Sequence, residues 1–456
     1  MNRIDGYKLM HEGAMALSEI EANGMRIDVP YLERVVTETG ERIKALEDKL
    51  RGCEEYRLQR RRYGQACNLG SREQLAAILF NDMGHTAMTH TAGGREKLDE
   101  TALERIGTKY TKGFLRLEKL NKLQGTYLRG VLREVEGEYL HAFFGLHLVR
   151  SYRSQSDSPN LQNIPIHDDI QGPLIRRAFI PRNGHVLIEI DYSGAEVRVA
   201  CSLSGDEKLT YDVLEGDMHR DMAAECYLLE KENVMKPVRH SAKGGFVFAE
   251  FYGDWYKQVC KNLWDAIERY HLTTPDGQSL YKHLAAKGIT ARGECDPQSE
   301  SVRGTFEHHI RQVEDSFWNK RFKVYHAKRR IWREDYKRKG YIDLVTGFRC
   351  QGPITKTQVI NYPIQGPSFH CLLWSLIHIQ KEIHRRKMKT KIICQIHDSI
   401  ISDVPHGEVQ DYLALAHDIT THRLHREWPW VTVPMEVEAE VAATNWFEKK
   451  KIEFPK

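Results

Sequence analysis

His185-Val-Leu-Ile-Glu-Ile-Asp191-Tyr-Ser-Gly-Ala-Glu196-Val-Arg-Val-Ala200 is the stretch whose reading decides the fold. Val186-Leu187-Ile188 is an apolar run that reads as a buried strand. Asp191 falls where that strand ends, Ser193 is placed to cap a helix, and Glu196, Val197, Val199 and Ala200 begin a helical pattern. A lone Asp at a strand end is ordinary punctuation. A second stretch changes the balance. Lys391-Ile-Ile-Cys-Gln-Ile-His397-Asp398-Ser-Ile-Ile-Ser-Asp403 carries β-branched runs on both sides of a His-Asp pair, the pattern of a hairpin with the polar pair at its tip. Two carboxylates on neighbouring strand ends can hold two divalent cations roughly 3.5–4 Å apart, which serves phosphoryl and nucleotidyl transfer.

The chain has 456 residues, too many for one ordinary core, so roughly two to four subdomains are expected. With 41% hydrophobic and 29% charged residues it reads as a globular protein, not a disordered one. The formal net charge is only +4, so affinity for a polyanion has to come from local basic patches. Nine cysteines are scattered without a C-x-x-C pair, which indicates a reducing compartment and speaks against a zinc site. The N-terminus has no apolar signal core, and no apolar run has the length to span a bilayer.

Outward from the two carboxylate stretches, residues 7–60 read as helices, broken at Asn23-Gly24 and restarted at Pro30. Arg57, Arg60, Arg61 and Arg62, followed by Tyr63, form a basic end that reads as a solvated face or a phosphate grip. Ser71-x-x-Gln74 is a capping box leading into an apolar helix. Residues 84–96 read as a loop, and helix resumes through Lys112–Tyr127 with Arg116, Lys119 and Lys122 near one face. Strand-like material begins at Tyr139, and 150–166 is a polar, Pro-broken loop. Arg239 and Lys243 stand one turn apart on a further helix, so both are expected to face the same way. Residues 254–340 read as Trp- and Tyr-rich helices, and Asn319–Gly340 holds ten Lys/Arg interleaved with Tyr325, Trp332 and Tyr336, which suits a nucleic-acid channel. An apolar helix is expected through 356–377, and 431–441 alternates as a strand of the catalytic sheet.

Five motifs in this order carry a resemblance. They are Arg153 with Ser158-Pro-Asn-Leu-Gln-Asn-Ile-Pro165; Asp191-Tyr-Ser-x-x-Glu196; the helix with Arg239-x-x-x-Lys243; its end at Tyr252-Gly253; and His397-Asp398. Together they resemble the family A DNA polymerases, the bacterial DNA polymerase I and phage replicase group. The resemblance implies an α+β right-hand fold: thumb base 1–30, thumb 31–135, palm 136–210, fingers 211–350 and palm again 351–456. It implies Asp191 and Asp398 as catalytic residues, holding two Mg²⁺ with the main-chain carbonyl of Tyr192. His219, Arg239, Lys243, Phe248, Tyr252 and Glu196 would bind the nucleotide, with Glu196 as the steric gate against a ribose 2′-hydroxyl. Arg153, Asn361, Gln365 and His397 would read the minor groove and place the primer end. The basic thumb residues Arg60, Arg61, Arg62, Lys119 and Lys122 would grip duplex phosphates.

Primer-template DNA and dNTPs are the implied partners, with a separate exonuclease or replisome proteins and no membrane, in the cytoplasm of a bacterial or phage-infected cell. No Asp-x-Glu exonuclease motif precedes the thumb, so a polymerase module without proofreading, of phage type, is expected. Three departures stand out. Ser399 replaces the Glu of the family's His-Asp-Glu, as in single-subunit RNA polymerases, which keeps an RNA-polymerising alternative open beside a catalytically inactive DNA-binding homologue. Gly194 and Ala195 replace bulkier residues. Lys243 and Tyr252 are one position further apart than in the family, and Gly244-Gly245 marks where a π-bulge could absorb the extra residue, leaving Phe248 and Tyr252 on the site.

Overall fold

The apolar run at 186–190 forms the middle of a five-stranded antiparallel sheet. The protein is described from a computed structural model covering residues 1–86, 89–90, 96–166, 168 and 170–455. Strand β1 (His185–Tyr192) pairs with β3 (Ser399–Pro405) on one side and β4 (Val437–Ala442) on the other. Strands β2 (Lys391–Ile396) and β5 (Lys450–Ile452) close the two edges. The register sets Asp191 opposite Ser399 on β3 and opposite Glu438 on β4. The hairpin read from sequence is therefore β2–β3, with His397-Asp398 as its two-residue tip.

Helix α1 (Arg3–Asn23) ends at Gly24, whose φ of 61° is the left-handed value that glycine accepts most easily. Helix α2 (Val29–Arg51) starts as expected, with Pro30 in its first turn and Asp28 accepting the Tyr31 N–H at 3.0 Å. The basic end read at 57–62 lies on α3 (Glu54–Tyr63), and the later basic face on α4 (Lys109–Lys122). Apolar stripes of α2 and α4 meet in a cluster that includes Ile43, Leu50, Phe114 and Leu117. The loop expected at 84–96 lies largely outside the described residues.

The longest helix, α12, spans Lys356–Arg385. It packs on α1 and on the sheet, and Thr355 with Gln358 forms a full capping box at its start. The main apolar cluster joins α1, β1 and α12, and a separate cluster fills the region from Val199 to Tyr325.

Four local expectations are corrected. Ser193 does not cap the helix after β1; Gly194 stands at that cap in the left-handed region. The Ser193 main chain is claimed elsewhere: its N–H donates to the far-off Glu436 O at 2.9 Å and its carbonyl accepts Arg198 Nε, five residues on, at 2.9 Å. The box at Ser71 is half formed, because the Gln74 side chain turns to the Asn68 N–H and to Gln59 instead of the cap backbone. The strand read at 431–441 begins only at Val437, since the Pro434 carbonyl and the Glu436 carboxylate are taken by Arg198. Finally, 270–305 is mostly irregular apart from a short helix, Leu280–Ala286.

Candidate active site

A cleft of about 650 Å³ opens at the end of the sheet, with Asp191 and Asp398 on its floor. The Tyr192 N–H donates to the Asp398 carbonyl at 3.1 Å, tying the end of β1 to the hairpin tip. His397 holds a φ of 51°, uncommon for a non-glycine residue, and Ser399 Oγ closes the turn by donating to Ile396 O at 3.0 Å. Gln395 braces the tip from below. Its Nε2 donates to His397 O at 2.7 Å, and its Oε1 accepts from Ser154 Oγ at 2.5 Å and from Gln162 Nε2 at 3.2 Å. Ser154 and Gln395 have no role read from sequence, and Gln162 enters only as part of the motif at 158–165. The available signal was a Gln in the middle of a β-branched strand, since a buried polar side chain needs partners.

Both carboxylates resist ionisation. Burial raises the Asp191 carboxyl to about 7, with the negative charges of Asp398 and Glu189 adding to the effect and Lys449 opposing it. Asp191 keeps solvent contact, yet it sits on a cleft floor where the surrounding protein disfavours charge. Asp398 is also raised by burial, against the pull of its own backbone, His397 and Arg153. Two adjacent carboxylates short of positive charge are a donor set that a divalent cation fits. Among the described residues no cluster of three or more His, Cys, Asp or Glu side chains converges as a metal site, and Glu438, opposite Asp191 on β4, lines the same cleft.

The cleft wall opposite the sheet is an interrupted helix. Helix α5 (Ala195–Ser204) follows β1, and α6 (Met218–Tyr227) leads to α7 (Lys236–Ala242). A π-turn then covers Lys243–Phe248, followed by α8 (Ala249–Tyr252). The extra residue is absorbed there. Gly244 faces open space, while a Cβ on Gly245 would lie 2.9 Å from Leu263 Cδ2, so the helix packs too closely for a side chain. Lys243, Phe248 and Tyr252 line the cleft, and Lys243 Nζ lies 5.4 Å from the Phe248 ring centroid. Val247 is fully buried in the core behind them; Phe251 touches the cleft edge but stacks on Tyr325 at 5.5 Å. Gly253 ends the helix at a φ of 96°, where a Cβ would crowd Thr357 Cγ2 at 3.0 Å.

The structure separates two residues that sequence placed together. Lys243 reaches the cleft, but Arg239 turns to Asp217, its Nε lying 2.9 and 3.0 Å from the two carboxylate oxygens. Arg239 lines a neighbouring cavity with Arg220, Lys236 and His240. His219 stands behind the wall, edge-on to Phe248 at 5.7 Å. Burial, then Arg239 and Lys243, lowers its pKa to about 4, so its imidazole is neutral at physiological pH.

Arg153 Nη1 lies 3.8 Å from Glu196 Oε1, and burial raises the Glu196 carboxyl against the pull of Tyr252 and Arg153. Asn361 Nδ2 donates to Tyr252 O at 3.0 Å, and Asn361, Gln365 and His397 line the same cleft. The basic residues of α3 and α4 lie elsewhere. Arg60 caps its own helix through Gly64 O, Arg62 pairs with Asp82 at 2.9 Å, and Lys119 lies 3.4 Å from Asp168. Arg61 and Lys122 are exposed, and Lys122 lies over the Tyr127 ring.

The model of the family described as DNA polymerase family A matches residues 30–448. The thermostable DNA polymerase I of Thermus filiformis is 28% identical over 448 residues, which cover 95% of this chain and 47% of that protein. DNA polymerase I of Bacillus subtilis (strain 168) is 27% identical, covering 96% of this chain and 45% of that protein. The chain thus spans about half the length of these curated relatives. Its fold is like that of the POL domain of Pol1 from M. smegmatis, a structure described as a complex with DNA primer-template and dNTP. The TM-score is 0.75 at 22% identity, over 96% of this chain and 70% of that one.

Proposed function

The chain belongs to DNA polymerase family A, and from that premise we propose that it is a template-directed DNA polymerase, adding dNTPs to a primer 3′-hydroxyl with two Mg²⁺. The observation that carries this reading is the cleft itself. Asp191 and Asp398, more than two hundred residues apart in sequence, share its floor, facing Lys243, Phe248 and Tyr252. The right-hand arrangement is then a thumb over 31–135 on a base at 1–30, fingers over 211–350, and a palm from 136–210 and 351–456.

Asp191, Asp398 and the Tyr192 carbonyl would hold the ions. Bound there, divalent cations lower the pKa of the attacking hydroxyl and offset charge on the triphosphate. The protein's own groups supply the rest. Lys243 presents an ammonium to the triphosphate, where negative charge gathers as the bond breaks. Arg239 would have to release Asp217 to do the same, and neutral His219 offers a ring N–H without adding charge. Phe248 and Tyr252 make an apolar wall against the base and sugar. Glu196, beside Arg153, occupies the position opposed to a 2′-hydroxyl. Arg153, Asn361, Gln365 and His397 line the region where the minor-groove edge of the new pair would lie; every base pair presents acceptors there, so pair shape is sampled without sequence preference.

Primer extension with each nucleotide singly, in dNTP and rNTP form with Mg²⁺, tests the reading. Template-matched addition of dNTPs, with rNTPs rejected, is expected. Equal use of rNTPs would favour an RNA-polymerising enzyme, and no Mg²⁺-dependent extension would leave a DNA-binding homologue. Trimming of a mispaired primer end by the same chain would show a nuclease site outside this cleft.

A further inference from the structure

Tyr152, the residue before the cleft-lining Arg153, holds a φ of 60°, the left-handed region that a bulky side chain seldom adopts. Such a conformation persists only where its surroundings over-determine it. Here they do. The Tyr152 N–H donates to Val149 O at 2.8 Å, and its hydroxyl donates to Arg349 O at 2.8 Å. Its carbonyl accepts from His370 Nε2, on α12, at 3.1 Å. One turn earlier on the same helix, a Cβ on Gly366 would lie 2.7 Å from the Ser151 carbonyl oxygen, so the loop comes closer there than a side chain would allow. Gly366 and His370, four residues apart on one face, together seat the main chain of 151–152.

His370 is fully buried, and both of its ring nitrogens are engaged. The Tyr152 carbonyl can only accept, so Nε2 carries a proton. Burial pushes the imidazole down to about 3, so the ring is neutral and Nδ1 is left as an acceptor. Thr346 Oγ1, 2.7 Å away and equally buried, must therefore donate to it. Between α8 and α12 the chain runs through α9 (Tyr256–Arg269), α10 (Phe306–Ser316) and α11 (Lys323–Lys339) to a hairpin that pairs Tyr341–Asp343 with Arg349–Gln351. Thr346 lies in the turn of that hairpin, and the nearby Phe348 lies against both rings, 4.4 Å from that of His370 and 4.8 Å from that of Tyr152.

We propose that His370 is a positioning residue for Arg153: by holding the Tyr152 carbonyl it keeps the left-handed turn from which the Arg153 side chain reaches the cleft beside Glu196. This rests on the polymerase reading above, in which Arg153 meets the minor-groove edge of the new pair. With no exposed surface, His370 touches no substrate and acts through the main chain. The connection runs from Thr346 through His370 and Tyr152 to Arg153, whose Nη1 lies 3.8 Å from Glu196 Oε1. Without the Nε2 donor the Tyr152 carbonyl loses its partner, and the left-handed turn loses the contact that offsets its strain. Once Tyr152 relaxes, the chain leaves it in another direction and carries Arg153 off the cleft.

The test uses the full chain and compares the parent with His370→Leu, His370→Gln, Arg153→Ala and the double variant of His370→Leu with Arg153→Ala. Single-turnover addition of one dNTP, with enzyme in excess over primer-template, gives rate constants that do not depend on the fraction of chains folded. Leu keeps apolar bulk without a donor, whereas Gln carries an Nε2 donor as many bonds from Cβ as that of His. His370→Leu should lower kcat/KM for the nucleotide by about fivefold or more, a size that coupling between contacting groups reaches. In the Arg153→Ala background the same change should cost less than about twofold, because the side chain it serves is gone. His370→Gln should recover most of the loss. Thr346→Val leaves His370 in place but removes the donor to Nδ1, so a smaller loss in the same direction is expected, again absent in the Arg153→Ala background. Equal losses with and without Arg153 would make His370 a packing residue and overturn the proposal. An unimpaired His370→Leu, or a Gln variant as slow as Leu, overturns it as well.

A second measurement needs no activity. Amide hydrogen exchange over 149–154, read by mass spectrometry, should be faster in His370→Leu than in the parent and close to the parent in His370→Gln, while peptides from α2 and α4 stay unchanged. Unchanged exchange over 149–154 in His370→Leu overturns the proposal whatever the kinetics show. A parent chain that extends no primer while exchange over 149–154 responds overturns the polymerase reading and the role given to Arg153, and leaves the hold of His370 on Tyr152 standing.

Discussion

Arg153 Nη1 lies 3.8 Å from Glu196 Oε1, and both residues line the cleft with Tyr252. The ion pair joins the polar loop at 150–166 to the start of α5. If Glu196 stands opposed to a 2′-hydroxyl, as proposed, replacing it by Ala removes that bulk. The rNTP/dNTP ratio of kcat/KM should rise by at least about tenfold, the equivalent of roughly 1.4 kcal/mol. Single-nucleotide kinetics on matched templates measure it, and an unchanged ratio would remove Glu196 from sugar selection.

Phe248 presents an unsubstituted ring beside Lys243. By resemblance to the family, Phe at this place implies discrimination against dideoxynucleotides. Phe248→Tyr should reduce that discrimination while leaving dNTP addition close to the parent. Chain-termination patterns at fixed ddNTP/dNTP ratios report it, and identical patterns would mean that the ring does not face the nucleotide sugar.

The five basic residues on α3 and α4 are not equivalent. Arg62 and Lys119 are engaged by Asp82 and Asp168, while Arg61 and Lys122 are exposed. If Arg61 and Lys122 contact duplex phosphates, replacing either with Gln should reduce the magnitude of the log K against log salt slope by about 0.9. Arg62 and Lys119 should change it less, having carboxylates to release first. Unchanged slopes for all of them would make these residues ordinary surface charge.

Glu382 on α12 is surrounded by Arg385, Arg386 and Arg423, and the hydrogen bond from Arg385 is the first cause holding its carboxyl down at about 2. An unfolded Glu titrates near 4.5, so this group's contribution to stability is present above 4.5 and is lost as pH falls towards 2. Glu382→Gln should lower Tm at pH 7, and the difference should shrink between pH 5 and pH 3. A difference that stays constant with pH would mean that the ion cluster contributes nothing measurable.

Local patterns reached much of this molecule. The apolar run before Asp191, the β-branched runs around His397-Asp398, and the spacing from Lys243 to Tyr252 each carry their structure within a few residues. What was missed depends on partners far along the chain. Ser193 reads as a cap until Glu436 and Arg198 claim its main chain. Arg239 reads as a partner of Lys243 until Asp217 turns it aside. Gln395 looks out of place in its strand because its partners, Ser154 and Gln162, lie more than two hundred residues upstream.

The central claim is that Asp191 and Asp398 act together in the chemical step. The most direct measurement is single-turnover nucleotide addition in Mg²⁺ by Asp191→Asn and Asp398→Asn, with primer-template affinity measured in parallel and Ser399→Ala as the control. The Ser399 side chain donates one hydrogen bond among the described residues, to Ile396 O, and its backbone pairing survives the change to Ala, so the loss should be mild. Each Asp variant should lose nucleotide addition, by about a thousandfold or more, roughly 4 kcal/mol in the barrier, while binding DNA as the parent does. Addition by either variant near the parent rate would contradict the account.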